Sequence, residues 1–356
     1  MSLLTYSGIT TKVRAMESHL ISDSQFREMA NLEDVRSAAE YLRQQPAYTD
    51  IFTDLDDTKL HRGYIEQLLT LSKYRDFTKL YRFSNLSQRK FLDLYFMHYE
   101  IDIIKKCLRN VMSHQKADLD LSMFRDFFEK HSGIDLVSLA QADNLQELIA
   151  GLEGSVYYKL LTETSDAMQE ESSTLFDYEL KMDLLYFKTI WKVKEKILSK
   201  KEQKILNQCF GCRLDMLNVQ WIYRSKKYYS LPPADIYALL IPVQYRLKAD
   251  EIRRMAEAAT LDDFFAALKD TYYGNIPTAE VQEHPDLEAL NEQIQNRIYH
   301  MVSRKNPYTI AILDSYLYFK ELEKQRLITT IEGIRYGLSP GEIISLVIKS
   351  ERGSDL

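Results

Sequence analysis

The sequence predicts an all-α fold built from three diverged copies of one helical unit, and three observations carry that expectation. Glycine and proline are scarce, 11 and 8 of 356 residues. That is about a twentieth of the chain against a usual share of roughly 12%, too little for Gly-rich phosphate loops and many tight hairpins. Apolar residues recur at helical spacing: Leu94, Met97, Ile101, Ile104 and Leu108 step by 3, 4, 3 and 4, a core-facing helical stripe and not a strand alternation. Finally, three weak patterns return in the same order, 107 to 116 residues apart, which is the signature of internal repetition.

The first pattern is a short amphipathic helix closed by a tyrosine. It reads Leu145, Leu148, Leu152, Tyr157 in the second copy and Leu261, Phe264, Leu268, Tyr273 in the third. In the first copy it reads Leu32, Val35, Leu42, Tyr48, with about three extra residues before Leu42. The second pattern is a long helix. Tyr95-Phe96 with Glu100, Ile104 and Leu108 aligns with Tyr318-Phe319, Glu323, Leu327 and Ile331, and the middle copy supplies Asp215, Val219 and Tyr223. Lys320 and Lys324 interrupt the apolar stripe in the last copy, so that helix is expected to face solvent there or to meet a polar partner. The third pattern opens the following helix: Leu231-Pro232-Pro233-Ala234-Asp235-Ile236 matches Leu338-Ser339-Pro340-Gly341-Glu342-Ile343. Proline and an acid suit a helix N-terminus, one through its fixed φ and the other through the exposed N–H groups. The first copy keeps only Asp120-Leu121.

These patterns divide the chain at 1–118, 119–234 and 235–356, with the segments 170–200 and 288–305 also read as long helices. The units are expected to sit about a pseudo-threefold axis or to stack as a short solenoid.

Charge and cysteine usage narrow the function. The 46 basic and 52 acidic residues are interspersed and sum to −6, unlike the basic stripe of a nucleic-acid binder. Cys107, Cys209 and Cys212 are too few for a disulfide framework and suit a reducing cytosol. No signal-peptide pattern and no run of about 18 apolar residues is present, so a peripheral place beside a membrane requires a partner.

Few motifs suggest chemistry. Asp54-Leu55-Asp56-Asp57-Thr58 fits the D-x-D-x-T signature of haloacid-dehalogenase-type phosphatases, in which Asp54 would attack phosphorus and Asp56 would act as acid/base beside Mg²⁺. Only Ile51 and Phe52 precede it where a buried strand is needed, and it follows Tyr48 as Glu163 to Glu171 and Glu280 to Leu287 follow theirs. The expected role is therefore the acidic start of a helix. Cys209-x-x-Cys212 has the form of a zinc half-site or redox pair, but it lacks two further ligands and falls where Leu94 and Met97 fall, so core packing is expected. The seven histidines form no i, i+4 pair, and there is no P-loop. No catalytic residue, metal or cofactor is expected. Arg224, Lys226 and Lys227, with Arg253 and Arg254, are candidates for contact with an acidic partner, though a solvated helix face explains them equally well.

Taken together, Val13 to Ser18, Leu92 to Phe96, Leu217 to Arg224 and above all Thr330-Ile331-Glu332-Gly333-Ile334-Arg335-Tyr336-Gly337-Leu338-Ser339-Pro340 resemble the C/d subunit family of V-type and A-type rotary ATPases over nearly the whole chain. The resemblance implies a funnel of three similar helical units without catalytic activity. It also implies a place on the cytoplasmic face of the membrane rotor ring, where the protein receives the central shaft. Its partners would be the rotor-ring (proteolipid) and central-shaft subunits of a machine moving H⁺ or Na⁺. Glu100, Asp215, Glu323, Arg335, Tyr336 and Pro340 are then structural signatures and not reactive groups.

Overall fold

The computed structural model describes residues 2–53, 60–113, 119–166, 174–274 and 286–348. Asp54 and Asp56 lie outside them. The described residues are all-α, with no strand among them, as expected. In chain order the helices are α1 (Ser2–Glu17), α2 (Asp23–Ala30), α3 (Val35–Arg43), α4 (Arg62–Phe83) and α5 (Leu86–Met112). Then come α6 (Arg125–His131), α7 (Leu136–Ala140), α8 (Leu145–Ala150), α9 (Val156–Asp166), α10 (Leu175–Ile197) and α11 (Lys200–Tyr229). The last six are α12 (Pro233–Leu239), α13 (Ala249–Glu257), α14 (Leu261–Lys269), α15 (Leu287–Lys305), α16 (Ala311–Arg335) and α17 (Pro340–Val347).

Two compact units result. One comprises Met1–Ser84, Lys201–Leu240 and Gln244–Leu356; the other comprises Asn85–Lys200 with Ile241–Val243.

In the first unit α16 is the central strut, packed against α1, α2, α3, α4, α15 and α17. Leu313, Leu317, Leu327 and Ile331 are no more than 2% exposed. Gly333 lets α17 close on it, since a Cβ there would stand 2.7 Å from Ile343 Cγ1. The helix then ends in a Schellman turn: Gly337 takes φ 69°, its N–H bonds to Ile334 O, and the Leu338 N–H bonds to Gly333 O. Pro340 begins α17 behind the capping box of Ser339 and Glu342.

In the second unit α5 packs against α7, α8 and α10. Its stripe lies where the spacing puts it, with Ile101, Ile104 and Leu108 at most 1% exposed. Each such side chain contributes about 1.5–3 kcal/mol on burial, against at most ~0.7 kcal/mol between ordinary residues in helix propensity. Packing therefore decides this helix. Phe127, Phe128 and His131 of α6 form an aromatic cluster with Phe96 of α5.

The caps of three short helices correct one part of the sequence alignment. Asp34, Asn144 and Thr260 accept from the backbone N–H groups of Ser37, Glu147 and Asp263, and Val35, Leu145 and Leu261 follow them directly. Aligned on these caps, Val35 and not Leu32 corresponds to Leu145, and Ala38 corresponds to Leu148 and Phe264. The three extra residues before Leu42 disappear, and a single one falls between Leu42 and Tyr48. Ala38 is buried but too small to stand out in an apolar stripe.

No helix among the described residues is long and apolar enough to cross a membrane.

Candidate functional site

The acids and tyrosines singled out by the repeats meet in three places. Tyr157 donates to Glu100 at 2.7 Å, Tyr273 to Asp215 at 2.7 Å, and Tyr48 to Glu323 at 2.7 Å. In the first two pairs the tyrosine follows the acid by 57 and 58 residues, and in the third it precedes the acid by 275.

The same carboxylates take a second, related set of donors. Ile21 N–H donates to Glu323 at 2.7 Å, just ahead of α2. Just ahead of α13, the N–H groups of Tyr245, Arg246 and Leu247 donate to Asp215 at 3.1, 2.6 and 3.1 Å. At Glu100 the Ser132 hydroxyl mediates, donating to the carboxylate at 2.5 Å and accepting from Ile134 N–H at 3.1 Å, just ahead of α7.

All three tyrosines are about 1% exposed. Burial pushes each phenol far above its ordinary range and keeps it a donor, helped next by the adjacent carboxylate at Tyr48 and Tyr157, and at Tyr273 by the Cys212 thiol and then Asp215. Burial also raises the Glu100 and Asp215 carboxyls, against the opposing pull of their hydrogen bonds. A buried polar group without partners is costly, and these carboxylates have two to four donors each. Such an arrangement fastens a long helix to the segments that lead into and out of two short ones.

Lys320 meets a polar partner, one of the two expectations for it, and the partner is the chain's own core. It is 1% exposed, bonds Glu323 at 2.7 Å and Tyr48 at 3.1 Å, and lies 3.5 Å from Asp76. Asp76, on α4, also accepts from Tyr316 at 2.7 Å. Lys324 is half-buried and pairs with Glu321 at 3.1 Å. Asp76, Ser132 and Ile21 were missed in the sequence. Only Lys320 left a signal, a cation in an apolar stripe three residues before an acid.

Another carboxyl is buried less comfortably. Asp314, 5% exposed, has an Oδ2 without a hydrogen-bond partner among the described residues, and burial pushes its pKa up to about 7 despite the opposing charge of Arg213.

Cys209 and Cys212 are buried in α11 with free thiols, as is Cys107 in α5. Among the described residues no cluster of three His, Cys, Asp or Glu side chains is placed to hold a metal.

The basic interface candidates all have partners within the chain. Arg224 pairs with Glu288, Lys226 donates to Ala258 O at 2.6 Å, and Lys227 donates to the Tyr223 hydroxyl at 2.8 Å. Arg253 pairs with Asp250 at 3.1 Å and Arg254 with Asp270 at 2.7 Å. Arg335 joins Glu332 and the carbonyl of Leu60, while Tyr336 at the end of α16 is 73% exposed.

Comparison with known proteins gives a match to the family model described as ATP synthase (C/AC39) subunit over residues 9–346. The C subunit of the A-type ATP synthase of Methanosphaera stadtmanae is 22% identical, over 92% of this chain and 83% of its own. Its counterpart in Methanocaldococcus jannaschii is 22% identical over 98% and 87%, and that in Pyrococcus abyssi 25% identical over 96% and 90%.

Proposed function

This chain belongs to the ATP synthase (C/AC39) subunit family, and from that membership we propose that it is the non-catalytic central-stalk connector of a rotary ATPase. It docks the rotor shaft onto the membrane ring of proteolipid subunits and transmits torque between ATP chemistry and the movement of H⁺ or Na⁺. It works at the cytoplasmic face of the membrane, held there by its partners, and contributes no reactive group or cofactor of its own.

The observation that carries this reading is the repeated acid–tyrosine fastening. The struts α5, α11 and α16, of 27, 30 and 25 residues, are each tied by a carboxylate, buried in α11 and α16 and half-buried in α5, to neighbouring short helices. A torque-bearing joint must not bend, and interiors packed at crystal-like density resist compression. Hydrogen bonds directed across the packing add resistance to sliding.

The same contacts support a three-unit organisation in which each module combines the long helix of one copy with the short helices of the next. Under this reading the two chain ends together complete the third module, since α17 packs against α2 as α12 packs against α13.

Co-purification tests the proposal. A tagged chain should bring down both rotor-ring and central-shaft subunits from its own cell; recovery of neither would sink the connector reading. The purified chain should hydrolyse neither ATP nor a generic phosphate ester, and a Mg²⁺-dependent phosphatase activity lost in Asp54→Asn would overturn its non-catalytic character.

A further inference from the structure

Arg246 stands apart from the paired cations described above. Its side chain is exposed, and no carboxylate among the described residues pairs with it. The guanidinium lies 5.1 Å from the ring centroid of Tyr245 and 5.1 Å from that of Tyr272, held between two aromatic faces.

Its described neighbours are tied to α11. The backbone N–H groups of Tyr245 and Arg246 are bound by Asp215. Tyr245 rests on the bare backbone of Gly211 in α11, where a Cβ would come within 2.6 Å of the ring. Tyr272, 45% exposed, adjoins Tyr273, whose hydroxyl is held by the same Asp215. The clamp occurs in one copy alone. Around Ile21 and Ile134, which correspond to Leu247, the residues in place of Arg246 are Leu20 and Gly133. Ala47 and Val156 stand in place of Tyr272, and Phe96 and Phe319 in place of Gly211.

We propose that Tyr245, Arg246 and Tyr272 form a docking point for a carboxylate side chain presented by another protein of the rotary ATPase. The inference rests on the connector reading given above. A planar guanidinium matches a carboxylate in bidentate fashion. Arginine and tyrosine are the residue types that carry interface energy, and a side chain already held in place loses little freedom on binding. In a chain of net charge −6, a cation held between two rings and without a carboxylate partner among the described residues is complemented by an acidic partner.

The test uses the ATPase complex stripped of this protein, to which the wild-type chain is rebound. Arg246→Ala and Tyr272→Leu should each weaken rebinding by about 30-fold, Arg246→Glu more, and Arg246→Lys less than Arg246→Ala. Thermal unfolding of the isolated variants should stay at the wild-type value, because Asp215 binds only the backbone of residue 246. Rebinding of Arg246→Glu with wild-type affinity would overturn the inference and leave the connector reading intact. Loss of binding to phosphatidylserine-containing vesicles in that variant, with affinity for the stripped complex unchanged, would assign the arginine to lipid and likewise overturn it. Failure of the wild-type chain itself to rebind would remove the connector reading and this inference together.

Discussion

Tyr48 Oη donates to Glu323 Oε2 at 2.7 Å, tying the segment after α3 to α16 across 275 residues of sequence. The corresponding bonds, Tyr157 to Glu100 and Tyr273 to Asp215, span 57 and 58 residues. Loop-closure entropy grows only logarithmically, so the longer closure costs about 1.4 kcal/mol more than the shorter ones. Packing of α2, α3, α4 and α17 around α16 readily offsets that cost.

Removing the hydroxyls tests the fastening. Tyr157→Phe, Tyr273→Phe and Tyr48→Phe should each lower the unfolding free energy by about 1–3 kcal/mol, because each leaves a buried or half-buried carboxylate short of a donor. Tyr48→Phe should cost the most, since Glu323 and Lys320 both use that hydroxyl. Urea denaturation followed by circular dichroism reads the effect; a Tyr48→Phe chain as stable as wild type would reduce the contact to mere proximity.

Lys320→Met places in α16 the residue type found at the aligned position 97 of α5. Its cost is set by what it leaves behind, namely Glu323 and Asp76 buried together without their ammonium. A loss of about 3–5 kcal/mol is expected. Lys324→Met, whose partner Glu321 also pairs with Lys73, should stay within about 1 kcal/mol. Equal effects in the same denaturation assay would contradict the distinct environments of the two lysines.

Asp314 gives a pH dependence of defined sign. Its carboxyl is raised from 3.8 to about 7 by burial, so the folded chain holds its proton more tightly than the unfolded chain does. Stability from this group is therefore full below about pH 4, falls as pH rises, and is lost above about pH 7. Asp314→Asn should be nearly neutral at pH 4 and stabilising at pH 8, with about 4 kcal/mol as the ceiling for a shift of this size. Melting temperatures measured at the two pH values decide the matter; a variant gain independent of pH would contradict it.

The thiols should be silent in the native chain. Burial pushes Cys212 up to about 11 and Cys107 up to about 12, and it raises Cys209 as well. Thiolate is the reactive form, so a colourimetric disulfide reagent at pH 8 should find almost no fast-reacting thiol before denaturant and three after it. A rapidly modified Cys209 or Cys212 in the folded chain would reopen the redox reading of the C-x-x-C pair.

Much of the fold was legible because helical periodicity is a local property. The stripe from Leu94 to Leu108 needs only its own spacing to show which face is buried. The start of α17 is readable from Ser339, Pro340 and Glu342 because a cap acts over three residues. Ala38 is passed over in the sequence for an equally local reason, its small side chain adding little to an apolar pattern.

The sequence by itself determined the all-α class, the long helices and the recurring positions of Glu100, Asp215, Glu323, Tyr48, Tyr157 and Tyr273. Only the tertiary structure decided which tyrosine each acid bonds. It also buried Lys320 between two carboxylates, paired off the basic residues that looked free, and left Arg246 clamped between two rings with no carboxylate partner among the described residues. The reason is one of distance along the chain. Periodicity and capping are set by neighbours a few residues away, whereas charge partnership depends on groups brought together across tens to hundreds of residues by the packing of the core.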